Sequence, residues 1–203
     1  MRRLHKDRPN GMMRFRKVGN LDVAPVLDRV VALNLGSSRD DDLTVDGLKH
    51  KAVPLRLHDN PTQPSFFEDL PVHDLPLLAK WPEMQQALVA ARAMIAADPV
   101  MGPWVDTNAL GRVVFSVIEP QGWIQWHRDT GAYIEATERF HWPLVTTPGA
   151  VNYEEGPEEL HMEVGDLTWI DNKCWHSAVN WSDAARIHGI FELRCLKSTP
   201  EPQ

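Results

Sequence analysis

In the stretch "GWIQWHRDTG", residues 122–131, an imidazole and a carboxylate stand two residues apart at His127 and Asp129. If the stretch is a strand, side chains at i and i+2 share a face, so these two point together and Trp126 and Arg128 point away. A charged Asp on an inward face is costly unless an opposite charge meets it there. A metal cation is the natural partner. Two imidazoles and one carboxylate are the ligand set that leaves adjacent positions open on Fe(II) for substrate and dioxygen. His141, His161, His176 and His188 are the candidates for the second imidazole, and "DNKCWHSAVNW" places His176 after an apolar "LTWI" strand and a turn. An H-x-D spacing is short, and ordinary surface strands carry it too.

The elements around it narrow the choice. From Gly111 onward, short β-rich segments follow one another: "RVVFSVIEP", "WIQWHRD", "RFHWPLVTT", "AVNYEE", "ELHMEVGDLTWID", "CWHSAVNW" and "RIHGIFELRCL". Clusters of Gly, Pro, Asn and Asp separate them, the pattern of a two-sheet jelly roll. Residues 1–110 mix apolar runs such as "VLDRVVALNL" and "KAVPLRLH" with breakers such as "DNPTQPS". They contain one clear helix pattern, "PEMQQALVAARAMIAADP", opened by Pro82 and stopped by Pro99. The expected fold is mainly β, a double-stranded β-helix or cupin-like barrel, with an N-terminal α/β-mixed section that includes the long helix. With 203 residues and 43% hydrophobic content, one domain is expected over 1–203. Its parts would be a supporting section at 1–110, the barrel at 111–196 and a tail at 197–203. The segments "HKDRPNG" and "STPEPQ" read as loose ends.

Further positions fall into register with His127. Ser116 precedes it by 11 residues, "RFH" supplies Arg139 and His141, His176 follows His141 by 35, and Arg186 follows His176 by 10. Together with the run "GDLTWIDNKCWHSAVN", this pattern resembles the aspartyl/asparaginyl β-hydroxylase family of Fe(II)- and 2-oxoglutarate-dependent dioxygenases, over about residues 111–196. The resemblance implies that His127 and His176 are the iron histidines and that Asp129 stands where many relatives of this fold carry the iron carboxylate. It implies that Arg186 binds the far carboxylate of 2-oxoglutarate with Ser116 as hydrogen-bonding partner, a pairing that suits the fixed donor fork of a guanidinium. Arg139 and His141 match residues near the co-substrate and substrate carboxylates. Fe(II), 2-oxoglutarate and O2 are the implied cofactor and co-substrates, and hydroxylation of an unactivated carbon is the implied reaction. In related halogenases the carboxylate position is vacated, so Asp129 favours hydroxylation.

Two departures bear on the substrate. Protein-directed members of the family carry a basic residue two before the serine, where this chain has Val114, and the chain has no room for their long helical-repeat region. The expected substrate is therefore a free amino acid, a small peptide or a carrier-bound amino acid bearing a carboxylate, with Arg139 as its holder and Arg112 and Arg128 in reserve. A cupin-like metal enzyme that does not use 2-oxoglutarate, or a hydroxylase of Asp or Asn in a protein, is the alternative. Other residues have plainer readings: His161 as a surface histidine, His188 as a pocket or core histidine, Cys174 as a small buried hydrophobe, and most of the eight tryptophans as core. With 21 basic against 28 acidic side chains, the net charge of -7 opposes phosphate-driven nucleic-acid binding. Two cysteines and no signal-peptide or membrane-spanning apolar run make the cytoplasm the expected location.

Overall fold

The computed structural model describes residues 14–35, 43–45, 49–59, 68–154 and 159–196. The segments read as loose ends, 5–11 and 198–203, lie outside the described residues.

Two antiparallel sheets face each other. The larger has the order β1-β10-β7-β12-β5-β3-β2, with β4 also pairing β3. Its strands are β1 Phe15–Asn20, β2 Leu43–Val45, β3 His50–Leu57, β4 His73–Asp74, β5 Val105–Ile118, β7 Thr137–Val145, β10 Asp166–Ile170 and β12 Arg186–Cys195. The smaller sheet is β6-β11-β8-β9, built from β6 Gly122–His127, β8 Ala150–Glu154, β9 Glu159–Leu160 and β11 His176–Asn180. This is the expected jelly roll. Strands from both sides of residue 110 share the larger sheet, because β3 pairs with β5 and β1 with β10.

The apolar core lies outside the barrel rather than within it. On β5, Val113, Phe115 and Val117 turn to one face and Arg112, Val114 and Ser116 to the other, as strand alternation requires. The first set packs beneath helices α1 Ala24–Ala32 and α3 Pro82–Ala97, the second of which follows the short helix α2 Pro76–Ala79. Helix α3 covers the expected helical pattern and buries Met84, Leu88, Ala91 and Ile95, spaced to form one stripe. Trp81, at the start of α3, meets Phe115 edge to face with ring centroids 6.0 Å apart. The neighbouring strands follow the same rule: Phe140, Trp142 and Leu144 of β7 and Ile187, Phe191 and Leu193 of β12 join this core. The opposite face is thereby left to line a cavity.

Tryptophan placement corrects the sequence reading. Trp81, Trp142 and Trp169 are buried, but Trp123, Trp126, Trp175 and Trp181 are exposed, all on or beside β6 and β11. The helices that form the apolar layer pack, among the described residues, on the larger sheet and leave the outer face of the smaller one uncovered. Among the described residues, no helix is long and apolar enough to cross a membrane.

Because Phe115 joins the helical layer to the strand that carries Arg112 and Ser116, Phe115→Ala should destabilise the fold by about 3–5 kcal/mol. Urea unfolding followed by far-UV circular dichroism measures it, and a loss below about 1 kcal/mol would contradict the two-face assignment.

Candidate functional site

The cavity between the sheets encloses about 370 Å³. Its larger-sheet wall comes from alternate residues of neighbouring strands. Arg186, Ile190 and Glu192 of β12 face it, as do Arg112, Val114 and Ser116 of β5, Arg139 and His141 of β7, and His50 and Ala52 of β3. Cross-strand register sets them in rows. Ser116 lies opposite both His188 and Ala52, Val114 opposite Ile190, and Ile190 opposite His141 on its other side, while Glu192 lies opposite Arg139.

From the smaller sheet, His127 and His176 meet as direct register partners across β6 and β11. Their rings lie 4.2 Å apart. Each ring is oriented by its own backbone: His127 Nδ1 lies 2.7 Å from the Gln125 carbonyl oxygen and His176 Nδ1 lies 2.9 Å from that of Cys174. A carbonyl can only accept, so each Nδ1 carries a proton and each Nε2 is the nitrogen left to face a metal. Asp129 completes the group, with ligand-type atoms of all three residues within 4.8 Å of one another. Two imidazoles and a carboxylate turned to one point could hold a divalent metal. Burial, reinforced by the facing His127 ring, holds His176 down at about 4.

The route to this convergence differs from the sequence expectation. Strand β6 ends at His127, so Asp129 is placed by a loop rather than by strand parity. The Asp129 backbone N–H donates to the Asn172 carbonyl at 2.9 Å, and the Asn172 side-chain amide donates to Asp129 Oδ2 at 2.8 Å. The 171–175 loop is itself pinned from below by Lys173, whose ammonium donates to the Thr137 carbonyl at 2.7 Å and pairs with buried Glu138 at 2.8 Å. A bulge also intervenes in β6. His176 pairs with His127 but Ala178 pairs with Ile124, so β6 carries one more residue than β11 over that step. Ile124 therefore faces the cavity with His127, and Trp126 turns to solvent.

Arg139 bridges two carboxylates. Its Nη1 donates to Asp129 Oδ2, and its Nε and Nη2 donate to Glu192 Oε1 at 3.1 and 2.7 Å. Burial alone would lift the Asp129 carboxyl, but Arg139, His176 and the Asn172 amide outweigh it and hold it below its usual range.

The other end of the cavity is cationic. Arg186 is 1% exposed. Its Nε donates to His188 Nε2 at 3.0 Å and its Nη2 to Asn152 Oδ1 at 2.9 Å. No carboxylate among the described residues offsets its charge, and burial pushes it down to about 9. Ser116 Oγ lies 3.2 Å from His50 Nε2. Burial, then Arg186, lowers His50 to about 4 and drives His141 and His188 well below the normal histidine range.

Of the other residues weighed in the sequence, His161 is half-buried, with Nδ1 3.0 Å from the Ala150 carbonyl. Cys174 is half-buried with its thiol toward Asp171, outside the triad. The sequence reading missed His50, Asn152, Tyr133, Asn172, Lys173 and Glu192. Glu192 was within reach, since it continues the alternate positions 186, 188 and 190 of "RIHGIFE".

Comparison with known proteins follows from this geometry. A family model described as aspartyl/asparaginyl beta-hydroxylase matches residues 80–194. No curated protein matches the chain. Among solved structures it is similar to the non-heme alpha-ketoglutarate-dependent epimerase SnoN from nogalamycin biosynthesis, with TM-score 0.58 and 12% identity over 89% of this chain and 78% of that one. It is also similar to a prolyl-4-hydroxylase of Pseudomonas putida, with TM-score 0.56 and 9% identity over 89% and 92% of the two chains. A third similar structure is an oxidoreductase of the 2OG-Fe(II) oxygenase family from Burkholderia pseudomallei, with TM-score 0.50 and 11% identity over 83% and 77%. At such identities the likeness is one of fold.

The lowered His50 makes a pH prediction. Its folded value of about 4 lies below the unfolded 6.5, so as pH falls below 6.5 the unfolded chain takes up a proton that the folded chain refuses. The stability that neutral His50 contributes is complete above pH 6.5 and is lost as pH drops toward 4. Between pH 6 and 5 the wild-type protein should lose stability faster than His50→Gln, by up to about 1.4 kcal/mol per pH unit. Urea titrations across that range check it, and parallel pH profiles would refute it.

Proposed function

The chain belongs to the aspartyl/asparaginyl β-hydroxylase family, and from that membership we propose that it is an Fe(II)- and 2-oxoglutarate-dependent hydroxylase of a small molecule. One observation carries the reading: a buried guanidinium, Arg186, without a carboxylate partner among the described residues, faces the same cavity as His127, Asp129 and His176. A buried cation of this kind calls for an anionic ligand, since leaving it unpaired is costly. A dicarboxylic keto acid has one carboxylate for Arg186 and a keto-acid head for a metal. A cupin-type enzyme without that co-substrate would leave Arg186 unexplained.

The residues then divide the work. Arg186 takes the far carboxylate, with Asn152 and His188 fixing its rotamer and Ser116 offering a hydroxyl oriented by His50. His127, Asp129 and His176 hold iron; Asn172 and Arg139 keep the Asp129 carboxylate aimed between the imidazoles. His141 is held neutral, so it offers one N–H and one lone pair on the wall between the two ends. Val114, Ile124, Ala178 and Ile190 line the middle and exclude water. Iron and the keto acid, when bound, supply the oxidising chemistry that places one atom of dioxygen on an unactivated carbon and releases succinate and CO2. The substrate class that fits the small cavity is a free amino acid, a short peptide or a carrier-bound amino acid; Val114, where protein-directed relatives have a basic residue, supports this over a protein substrate.

An anaerobic titration of Fe(II) followed by 2-oxoglutarate tests the reading through the visible charge-transfer band of the chelate. The band should form at one equivalent in the wild-type protein and be lost in His127→Ala and in His176→Ala, with the fold retained. Arg186→Lys should bind iron normally but need at least tenfold more 2-oxoglutarate, because a point charge cannot reproduce a two-pronged contact. A wild-type protein that gives no band, or Arg186→Lys with unchanged 2-oxoglutarate dependence, would remove the co-substrate from the proposal.

A further inference from the structure

We infer that Glu192 is a positioning residue for the metal: it supplies the counter-charge that lets Arg139 hold Asp129 without taking from it the charge a metal needs. The inference rests on the metal-site reading above and deepens it by naming a residue that sets metal affinity from outside the triad. The two oxygens of Asp129 are unlike. Oδ2 accepts from Arg139 Nη1 and, at 2.8 Å, from the Asn172 amide. Oδ1 stands 3.6 Å from His127 Nε2, so it is the oxygen turned toward the imidazoles. A guanidinium on Oδ2 fixes that choice, but left to itself it would also compete with a bound cation for the same negative charge.

Glu192 removes the conflict. It lies opposite Arg139 in the β12–β7 register and is 4% exposed. Its Oε1 accepts both Arg139 Nε and Nη2, at 3.1 and 2.7 Å, and its Oε2 accepts the Tyr133 hydroxyl at 3.0 Å. The Tyr133 hydroxyl in turn accepts the Arg112 backbone N–H at 2.7 Å. Gly111 makes that close packing possible: a Cβ there would collide with the Tyr133 hydroxyl and lie 3.0 Å from the Glu192 carbonyl oxygen. The Arg112 guanidinium, 3.6 Å over the Tyr133 ring, lies in the field of the same carboxylate. A file of hydrogen bonds thus runs from Tyr133 through Glu192 and Arg139 to Asp129. It joins β5, β12 and β7 to the turn after β6.

Losing the Glu192 charge has two consequences of the same sign. The Nε edge of Arg139 loses its anchor, so Nη1 is no longer fixed on Oδ2. The whole guanidinium charge then bears on Asp129 and on any cation beside it. Removing Arg139 as well abolishes the second effect, whereas an ion pair that served only the fold would give no such recovery. On this assignment Arg139 serves the metal carboxylate rather than a substrate.

Co(II) is the probe, because it accepts the nitrogen and oxygen ligands of Fe(II). Its affinity is measured by calorimetry for the wild-type protein, Glu192→Gln and the double variant Glu192→Gln/Arg139→Gln, with circular dichroism to establish that each is folded. Glu192→Gln should bind Co(II) about 10- to 100-fold more weakly, the usual cost of losing a partner behind a metal ligand. The double variant should recover about fivefold or more of that loss, because the bare cation is gone. If Glu192→Gln does not fold, Tyr133→Phe takes its place: without the hydroxyl that fixes Glu192, Co(II) affinity should fall about threefold or more. Unchanged Co(II) affinity in the variant that folds, or a double variant no tighter than Glu192→Gln, overturns the positioning role. A wild-type protein that does not take up one equivalent of Co(II) overturns the metal-site reading instead.

Discussion

The structure depends on one electrostatic constraint: charges must be kept inside a barrel without dissolving it. Arg112, Arg139, Arg186, Asp129 and Glu192 all face one cavity, and a charge removed from water is tolerated only with partners or with a ligand. Strand alternation resolves this. The larger sheet gives its apolar side chains to the helices on its outer face, so hydrophobic stabilisation does not depend on filling the interior. The inner face is then available for polar rows, and antiparallel register decides which charge meets which. Glu192 falls opposite Arg139 and pairs with it; Arg186 falls opposite Ile118 and, among the described residues, its side chain meets neutral His188 and Asn152. One cation is neutralised by carboxylates of the protein, while the described partners of the other are uncharged.

The metal-type triad is assembled by departures from regular structure. A bulge in β6 brings Ile124 and His127 to the same side, and the turn after β6 carries Asp129 off the strand altogether. That turn is anchored to the 171–175 loop, which is anchored through Lys173 to Glu138 on the apolar side of β7. The Glu138 carboxylate also accepts the Trp104 and Trp169 indole N–H groups at 3.3 and 2.8 Å. Asp129 is thus positioned by a chain of contacts that crosses the sheet, and its placement rests on core packing well away from it.

The histidines show how burial sets chemistry. His50, His141 and His188 gather around Arg186, where a cation and low solvent access both oppose protonation. They are therefore hydrogen-bonding groups of fixed neutral charge rather than acids at neutral pH. The two ends of the cavity then differ in kind. At one, neutral rings surround a bare guanidinium; at the other, carboxylates surround Arg139 while Arg112 rests on Tyr133.

The sequence by itself determined the strand succession after Gly111 and the Pro82-to-Pro99 helix, because alternation, helical spacing and breaker residues are local properties; strand alternation left the second imidazole open among four histidines. The spacings from Ser116 to Arg186 carried the family likeness for the same reason: they are counted along the chain. Only the tertiary structure decided what each charged group faces. Arg139 reads like a carboxylate clamp in "RFH", yet its partners lie 10 and 53 residues away in the chain. His50 stands beside Ser116 across 66 residues, and nothing near it in the chain marks it. Trp126 reads as core within an apolar run, but the face of the smaller sheet on which it stands is turned to water. Register, bulges and loop anchoring are set by contacts between distant segments, so a pattern read along the chain cannot supply them.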